Sequence, residues 1–346
     1  MSKGGIGRRF KQLVKRLWLG VTLIAAASAF LLLSDSKQRT GGLPRIAIFQ
    51  FDSVKLLDDG VQGLLDELKE RGFEQGRQVI YERFNAQDDM PTANSIAKEI
   101  TSGKYDYVFT VSTNCLQAVA NANQAGRVKQ IFGVVADPLA AKVGISATDP
   151  MVHPKWMVGI GSMAPAGELM EAARTFNPRL QRFGLPWNPS QANSERFTKI
   201  ARDVAKKMGV ELVEGSVDSA TVVGEVTGSL VARGADAILA LGDLTVATAI
   251  DSVVAEARKG RIPVFSTMPD MANRGALYAV GPDYYVIGRQ MGALGARVLK
   301  GEDTAKIPIL YEVPKKIAIN LKALSGLRQE WKIPPELVSK ANTVIK

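Results

Sequence analysis

The chain has 346 residues, with 44 Lys and Arg against 34 Asp and Glu, a formal charge of +10, one Cys, one His and 46% hydrophobic residues. The lone Cys115 excludes an intramolecular disulfide, a Cys-rich zinc site and a paired redox motif, and the lone His153 excludes a two-histidine metal site. The charge is also uneven: residues 1–42 hold eight cations and one acid, a net +7, so the other 304 residues carry 36 minus 33, only +3. An excess placed at the N-terminus reads as a targeting signal rather than a basic face for nucleic acid.

Residues 17–33 are uncharged and strongly apolar, preceded by six cations and followed by Ser34, Asp35, Ser36 and Lys37. Seventeen residues is long for the apolar part of a signal peptide and short for a bilayer span, so cleaved signal and membrane anchor both stay open. Either way the positive flank places the N-terminus in the cytoplasm and sends the remainder outward. Small-residue sites at Ala27-Ser28-Ala29 and Ser34-Asp35-Ser36 are candidate cleavage points, and no Cys follows the run to carry a lipid.

From Leu43 onward, short apolar runs alternate with amphipathic stretches. Strand-like segments at 45–50, 79–84, 107–111 and 131–135 alternate with helical patterns over 54–71, 91–102 and 112–123. The stretch 137–155, with Pro138, Pro150 and Pro154, interrupts the pattern. Strands at 156–161, 182–185, 211–213, 237–241 and 262–266 then alternate with helices over 165–175, 191–208, 220–232 and 245–259. Continuous apolar strands between helices predict parallel sheets covered on both faces, and the length accommodates two such α/β lobes.

Tests for catalytic chemistry are weak. Gly159-Ile160-Gly161-Ser162-Met163-Ala164 matches a dinucleotide fingerprint, but Pro165 and Gly167 stand where the helix should already run and no acid closes a strand about 20 residues later. No phosphate loop or nucleophile elbow is present, and Asp66, Glu67, Glu168 and Glu171 read as solvated helix faces. The strand ends carry more. Ligands of open parallel sheets sit at the carboxyl ends of strands, beside helix N-termini. Those positions hold Phe51 and Asp52, then Ser112, Thr113 and Asn114, then Asp137, Asn193, Asp243, Thr245 and Asp270, with Trp187 and Tyr284 or Tyr285 near them. Ser112, Asp243 and Asn193 are equally good helix caps. Hydroxyls and amides at helix starts suit a carboxylate, and Asp243 or Asp270 suits an ammonium, so a zwitterion would use both.

These residues lie in a chain that resembles a known family. Gly72-Phe73-Glu74-Gln75-Gly76-Arg77-Gln78-Val79, Val135-Ala136-Asp137-Pro138, Trp187-Asn188-Pro189-Ser190-Gln191-Ala192-Asn193-Ser194, Asp283-Tyr284-Tyr285 with Gly288-Arg289, Val298-Leu299-Lys300-Gly301 and Ile333-Pro334-Pro335-Glu336-Leu337 run in the family's order. The chain is similar to the periplasmic substrate-binding proteins of ABC transporters, in the branch for tryptophan- and tyrosine-type ligands. The resemblance implies a two-lobed type I periplasmic-binding-protein fold, each lobe a parallel sheet flanked by helices, preceded by an N-terminal hydrophobic helix (1–42). It places 44–158 with 284–301 in the first lobe, 159–283 with 302–320 in the second, and 321–346 as a C-terminal extension. It carries ligand contact to Phe51, Asp52, Ser112, Thr113, Asn114, Asp137, Asn193, Asp243, Thr245 and Asp270; by their aromatic chemistry, Phe51 or Trp187 would stack a ligand ring. The implied protein is no enzyme, needs no cofactor and works as a monomer. It captures an amino-acid-like small molecule, aromatic or not, and delivers it to a permease in the membrane. It would act in the periplasm, released or tethered through 17–33. The alternative is an anchored sensory ectodomain without transport. Two departures stand out: His153-Pro154-Lys155-Trp156-Met157-Val158-Gly159 replaces the family's Gly-rich lead into the second lobe, and Leu244 follows Asp243 where the family carries Asn.

Overall fold

In the computed structural model, Trp18 and residues 42–311 and 313–346 are described. The chain divides into Met1–Leu43 and Pro44–Lys346, and both sheets belong to the second unit. The expected hydrophobic helix, with both candidate cleavage sites, lies outside the described residues apart from Trp18. Among the described residues no helix is long and apolar enough to cross a membrane.

The first sheet is built from β1 (Arg45–Gln50), β2 (Ile80–Asn85), β3 (Tyr107–Val111), β4 (Lys129–Val135) and β5 (Met157–Gly161). All five are parallel, in the order β2-β1-β3-β4-β5. Helices α1 (Lys55–Glu70), α2 (Met90–Glu99) and α3 (Thr113–Ala122) connect them. Leu57, Val61, Leu64 and Leu68 recur at helical spacing on α1 and are fully buried, which is the stripe that turns this stretch toward the sheet.

The second sheet runs β12-β11-β10-β9-β8-β6-β7. Its β6 (Arg182–Trp187), β7 (Glu211–Ser216), β8 (Ala237–Ala240), β9 (Val264–Ser266) and β10 (Tyr278–Pro282) are parallel, β11 (Lys315–Asn320) is antiparallel to β10, and β12 (Thr343–Ile345) closes the edge beside β11. The connecting helices are α4 (Ala166–Phe176), α5 (Ala192–Met208), α6 (Val223–Ala232), α7 (Leu244–Thr248) and α8 (Ile250–Lys259). The single helix expected over 245–259 is broken at Ala249, which leaves the helical region at φ −97°, ψ 18°. An aromatic cluster fills this lobe, with Phe176 edge-on to Tyr278 at 5.2 Å and Phe265 against Trp331 at 5.4 Å.

Three passages join the sheets. The chain leaves the first after β5, returns between β10 and α9 (Tyr284–Leu299), whose Gly288 and Gly292 pack on α1, and passes back before β11. A lobe boundary after residue 158 therefore cuts β5 in two, because Gly161 still pairs with Val135. Residues 304–310 also stay beside the first sheet: Ile309 N–H donates to Pro150 O, and Leu310 bridges to Ile160. The segment 321–346 is no appendage either. Its Trp331 is buried in the second core and its β12 extends the second sheet.

Candidate functional site

The carboxyl ends of the two sheets face each other, and a pocket lies between them. Leu56, Leu57, Ser112, Thr113, Val134, Ala136 and Ser162 line it from the first sheet's side, Asn193, Phe197, Gly242 and Leu244 from the second, and Tyr284 from the start of α9. The space at its centre is only about 30 Å³, enough for a water or two.

The backbone is strained where the first lobe meets this pocket. Ser112 has φ 130° and Val134 has φ 55°, a region that L-residues avoid and that is a clear outlier for a β-branched side chain. Val134 lies in the bulge of β4, where the register against β5 shifts between Phe132 and Val135, so the strand end is re-aimed at the cleft. Ser112 holds its unusual conformation while its hydroxyl accepts from Cys115 N–H, 3.1 Å away, capping α3. The cap takes the Cys115 N–H and leaves the other N–H groups of the first turn of α3 without an intrahelical partner, with Thr113, the first residue of the turn, on the pocket lining.

The second lobe presents Asn193. The amide is 5% exposed, and Nδ2 donates to Gly242 O at 2.6 Å while Oδ1 has no partner. Because the nitrogen must face a carbonyl, the orientation is fixed, and a free acceptor remains on the pocket wall. A buried acceptor left unpaired costs about 1–3 kcal/mol, which a ligand N–H would recover.

Around the pocket, the lobes touch directly. Arg196 Nε donates to Asp137 Oδ2 at 2.7 Å, and Asp137 Oδ1 also accepts from the N–H groups of Leu139 and Ala140. The Thr248 hydroxyl lies 2.9 Å from both Asp52 Oδ2 and the Leu244 carbonyl and shares its one proton between them. The Thr245 hydroxyl accepts from Asn188 Nδ2 and Gln191 Nε2, and Asp88 Oδ1 is buried without a hydrogen-bond partner. Burial pushes the Asp88 carboxyl up to about 6, and the charges of Asp52, Asp243 and Asp89 push the same way, while the polar Thr245 hydroxyl opposes them. The neighbouring residues Gln87 and Asp88 are both left-handed, at φ 54° and 57°.

The ten expected contact residues divide by position. Ser112, Thr113 and Asn193 line the pocket. Asp52 and Asp137 bind lobe to lobe beside it, while Thr245 accepts from Asn188 and Gln191 within the second lobe. Asp270 lies in a separate recess at the rim with Lys55, whose ammonium is 3.8 Å from it. Asp243 is a framework residue: its oxygens accept from Ser194 Oγ and from the N–H groups of Asn188 and Val246, and burial still raises its carboxyl above the ordinary range. Phe51 is 1% exposed within the first core, and Asn114 is buried without reaching the pocket lining. Trp187 does not line it either, since its ring lies under the Arg202 guanidinium at 5.4 Å. The aromatic rings on the pocket are Phe197 and Tyr284. Ser162 and Ala136 follow strand ends, so the strand-end rule reaches them; Leu56, Leu57 and Val134 look like core residues in sequence and carry no such signal. Among the described residues no cluster of His, Cys, Asp and Glu is arranged to hold a metal ion.

Two parallel-sheet lobes joined by three passages, with a pocket between facing strand ends, define a two-lobed solute-binding protein. The ABC transporter substrate-binding protein family matches residues 45–345, and the chain belongs to it. It is accordingly a solute-binding protein and not an enzyme. Among characterised relatives, the tyrosine-binding protein of Clostridioides difficile is 28% identical over 294 residues, covering 85% of this chain and 82% of that one. A conserved domain protein of Vibrio cholerae superposes with a TM-score of 0.80 at 27% identity, covering 88% of this chain and all of the other. A Streptococcus pneumoniae ABC domain in complex with L-Trp also gives 0.80, at 24% identity and with the same coverage. The ligand-free, open form of a Clostridium difficile substrate-binding protein with adhesive properties gives 0.63 at 27% identity, covering 88% and 99%.

Proposed function

We propose that this protein captures a single amino-acid-like small molecule between its lobes and delivers it to an ABC transporter permease on the outer side of the cytoplasmic membrane, released or held there by residues 17–33. The observation that carries the ligand class is the unpartnered Asn193 Oδ1 on the same pocket wall system as the N-terminus of α3. An amine donates to the first, and a carboxylate accepts from the second. Phe197, Tyr284 and Leu244 leave the remaining wall to an apolar or aromatic side chain, in keeping with the tyrosine-binding relative and the tryptophan-bound neighbour. With about 30 Å³ between them, the lobes must part to admit any amino acid and close again over it. A thermal-shift panel of the twenty amino acids with the full chain tests the reading. One or a few, aromatic ones foremost, should raise Tm, and no shift with any of them removes the proposal.

A further inference from the structure

A second concavity lies at the other end of the second sheet, where β9 and β10 begin. Its volume is about 410 Å³, and it is formed by the end of α8, the residues leading into β9, the turn before β10 and the segment 320–327. Four cations line it: Arg258, Arg261, Arg274 and Lys322. The acid beside them is Asp251, whose carboxylate is fully engaged by Arg274 through contacts of 2.9 and 2.5 Å. Arg261 donates to the Gly326 carbonyl at 2.9 Å, which fixes its position without neutralising it. Among the described residues, the side chains of Arg258 and Lys322 have no hydrogen-bond or ion-pair partner. Four cations less one acid leave this groove at +3, equal to the net charge of all residues from 43 onward. Arg261 also occupies a left-handed position just after α8, φ 56°, where glycine is the unstrained choice.

Gathering like charges is unfavourable by Coulomb's law unless an anion completes the set. Guanidinium forks suit an oxyanion that accepts two parallel hydrogen bonds. We infer that this groove binds a phosphate-bearing group, with Arg258 and Lys322 supplying the uncompensated charge and Arg261 and Arg274 held in place around it. The group comes either from a soluble phosphate compound or from an anionic phospholipid headgroup. Because the interlobe pocket lies at the opposite end of the same sheet, beyond the carboxyl ends of β6 and β8, and shares no lining residue with the groove, both sites can be filled together.

The test uses the full chain, its Arg258→Ala/Lys322→Ala variant and two probes. Both replaced residues are exposed, so the variant should unfold at the parent's Tm. Titration with pyrophosphate should give salt-sensitive binding that weakens at least tenfold in the variant if the source is soluble. Flotation with vesicles of phosphatidylglycerol, against phosphatidylcholine, should show a preference for the anionic lipid that the variant loses if the source is the membrane. Residues 17–33 contribute equally to parent and variant, so only the difference between them counts. If the variant matches the parent with both probes, the groove is not an anion site. The amino-acid shift at the interlobe pocket should be the same in both proteins.

Discussion

Asn193 and Asp88 show how single side chains set the properties of the cleft. Asn193→Ala removes the bond to Gly242 O and the free acceptor together, so it should cost about 1 kcal/mol of stability by chemical denaturation and abolish the amino-acid thermal shift. A variant that still shifts would remove Asn193 from the site. Asp88 is held up near 6 by burial and by the carboxylates of Asp52, Asp243 and Asp89, against about 4 in the unfolded chain. Between those values the native state binds a proton that the unfolded state has released, so stability falls as pH rises through that window. Asp88→Asn should therefore be more stable than the parent above pH 6, by roughly 1–2 kcal/mol after solvent screening, with the gain gone near pH 4. A gain that persists at low pH would point to packing instead. The carboxylates at 52, 137, 243 and 270 were legible as strand-end residues. Their separate tasks were not, because a cap, a latch and a ligand contact use the same residue types.

At the scale of elements, the join between α1 and α9 packs backbone on backbone beside the first sheet. Gly63 of α1 and Gly288 of α9 sit at the crossing: a Cβ at 63 would meet the Tyr285 carbonyl and lie 3.0 Å from Arg289 N, and one at 288 would meet the Gly60 carbonyl and lie 3.0 Å from Leu64 N. Backbone cannot move aside as a flexible side chain does, so Gly288→Ala should destabilise by about 2 kcal/mol, read by denaturant titration. The same change at exposed Gly72 would bring no clash, as no atom lies within 4 Å, though its φ of 87° carries its own cost. Arg289 strengthens the crossing by gripping Glu70 with two bonds of 2.8 and 2.6 Å. Through its periodicity, α1 was legible from sequence as a helix. By contrast, β10, α9, β11 and β12 did not stand out as elements, because β10 ends Gly281-Pro282 and α9 carries three glycines on a face that reads as neither core nor surface.

At the scale of the molecule, the lobes are held together by their own side chains around a pocket of about 30 Å³. The Arg196–Asp137 pair, with Asp137 largely buried, and the Thr248–Asp52 bond would both break on opening. A half-exposed ion pair is worth about 0.5–1 kcal/mol, so Arg196→Ala should shift the equilibrium toward the open form by a factor of two to five. Small-angle scattering of the ligand-free protein should record a larger radius of gyration, with the parent value restored by a bound amino acid. No change in radius would mean that the pair does not restrain opening.

By itself, the sequence determined the alternation of strands and helices, the segregation of charge into the first 42 residues, the absence of paired cysteines and histidines, and the strand ends as the place to look. These follow from local periodicity and counting, which need no knowledge of distant neighbours. Only the tertiary structure decided that β5 completes the first sheet, that the last 26 residues complete the second lobe, that Phe51 and Asp243 serve the framework, and that Leu56, Val134 and Tyr284 line the pocket. Each depends on contacts between residues far apart in the chain, where burial and pairing are set by the packing partner rather than by the residue type.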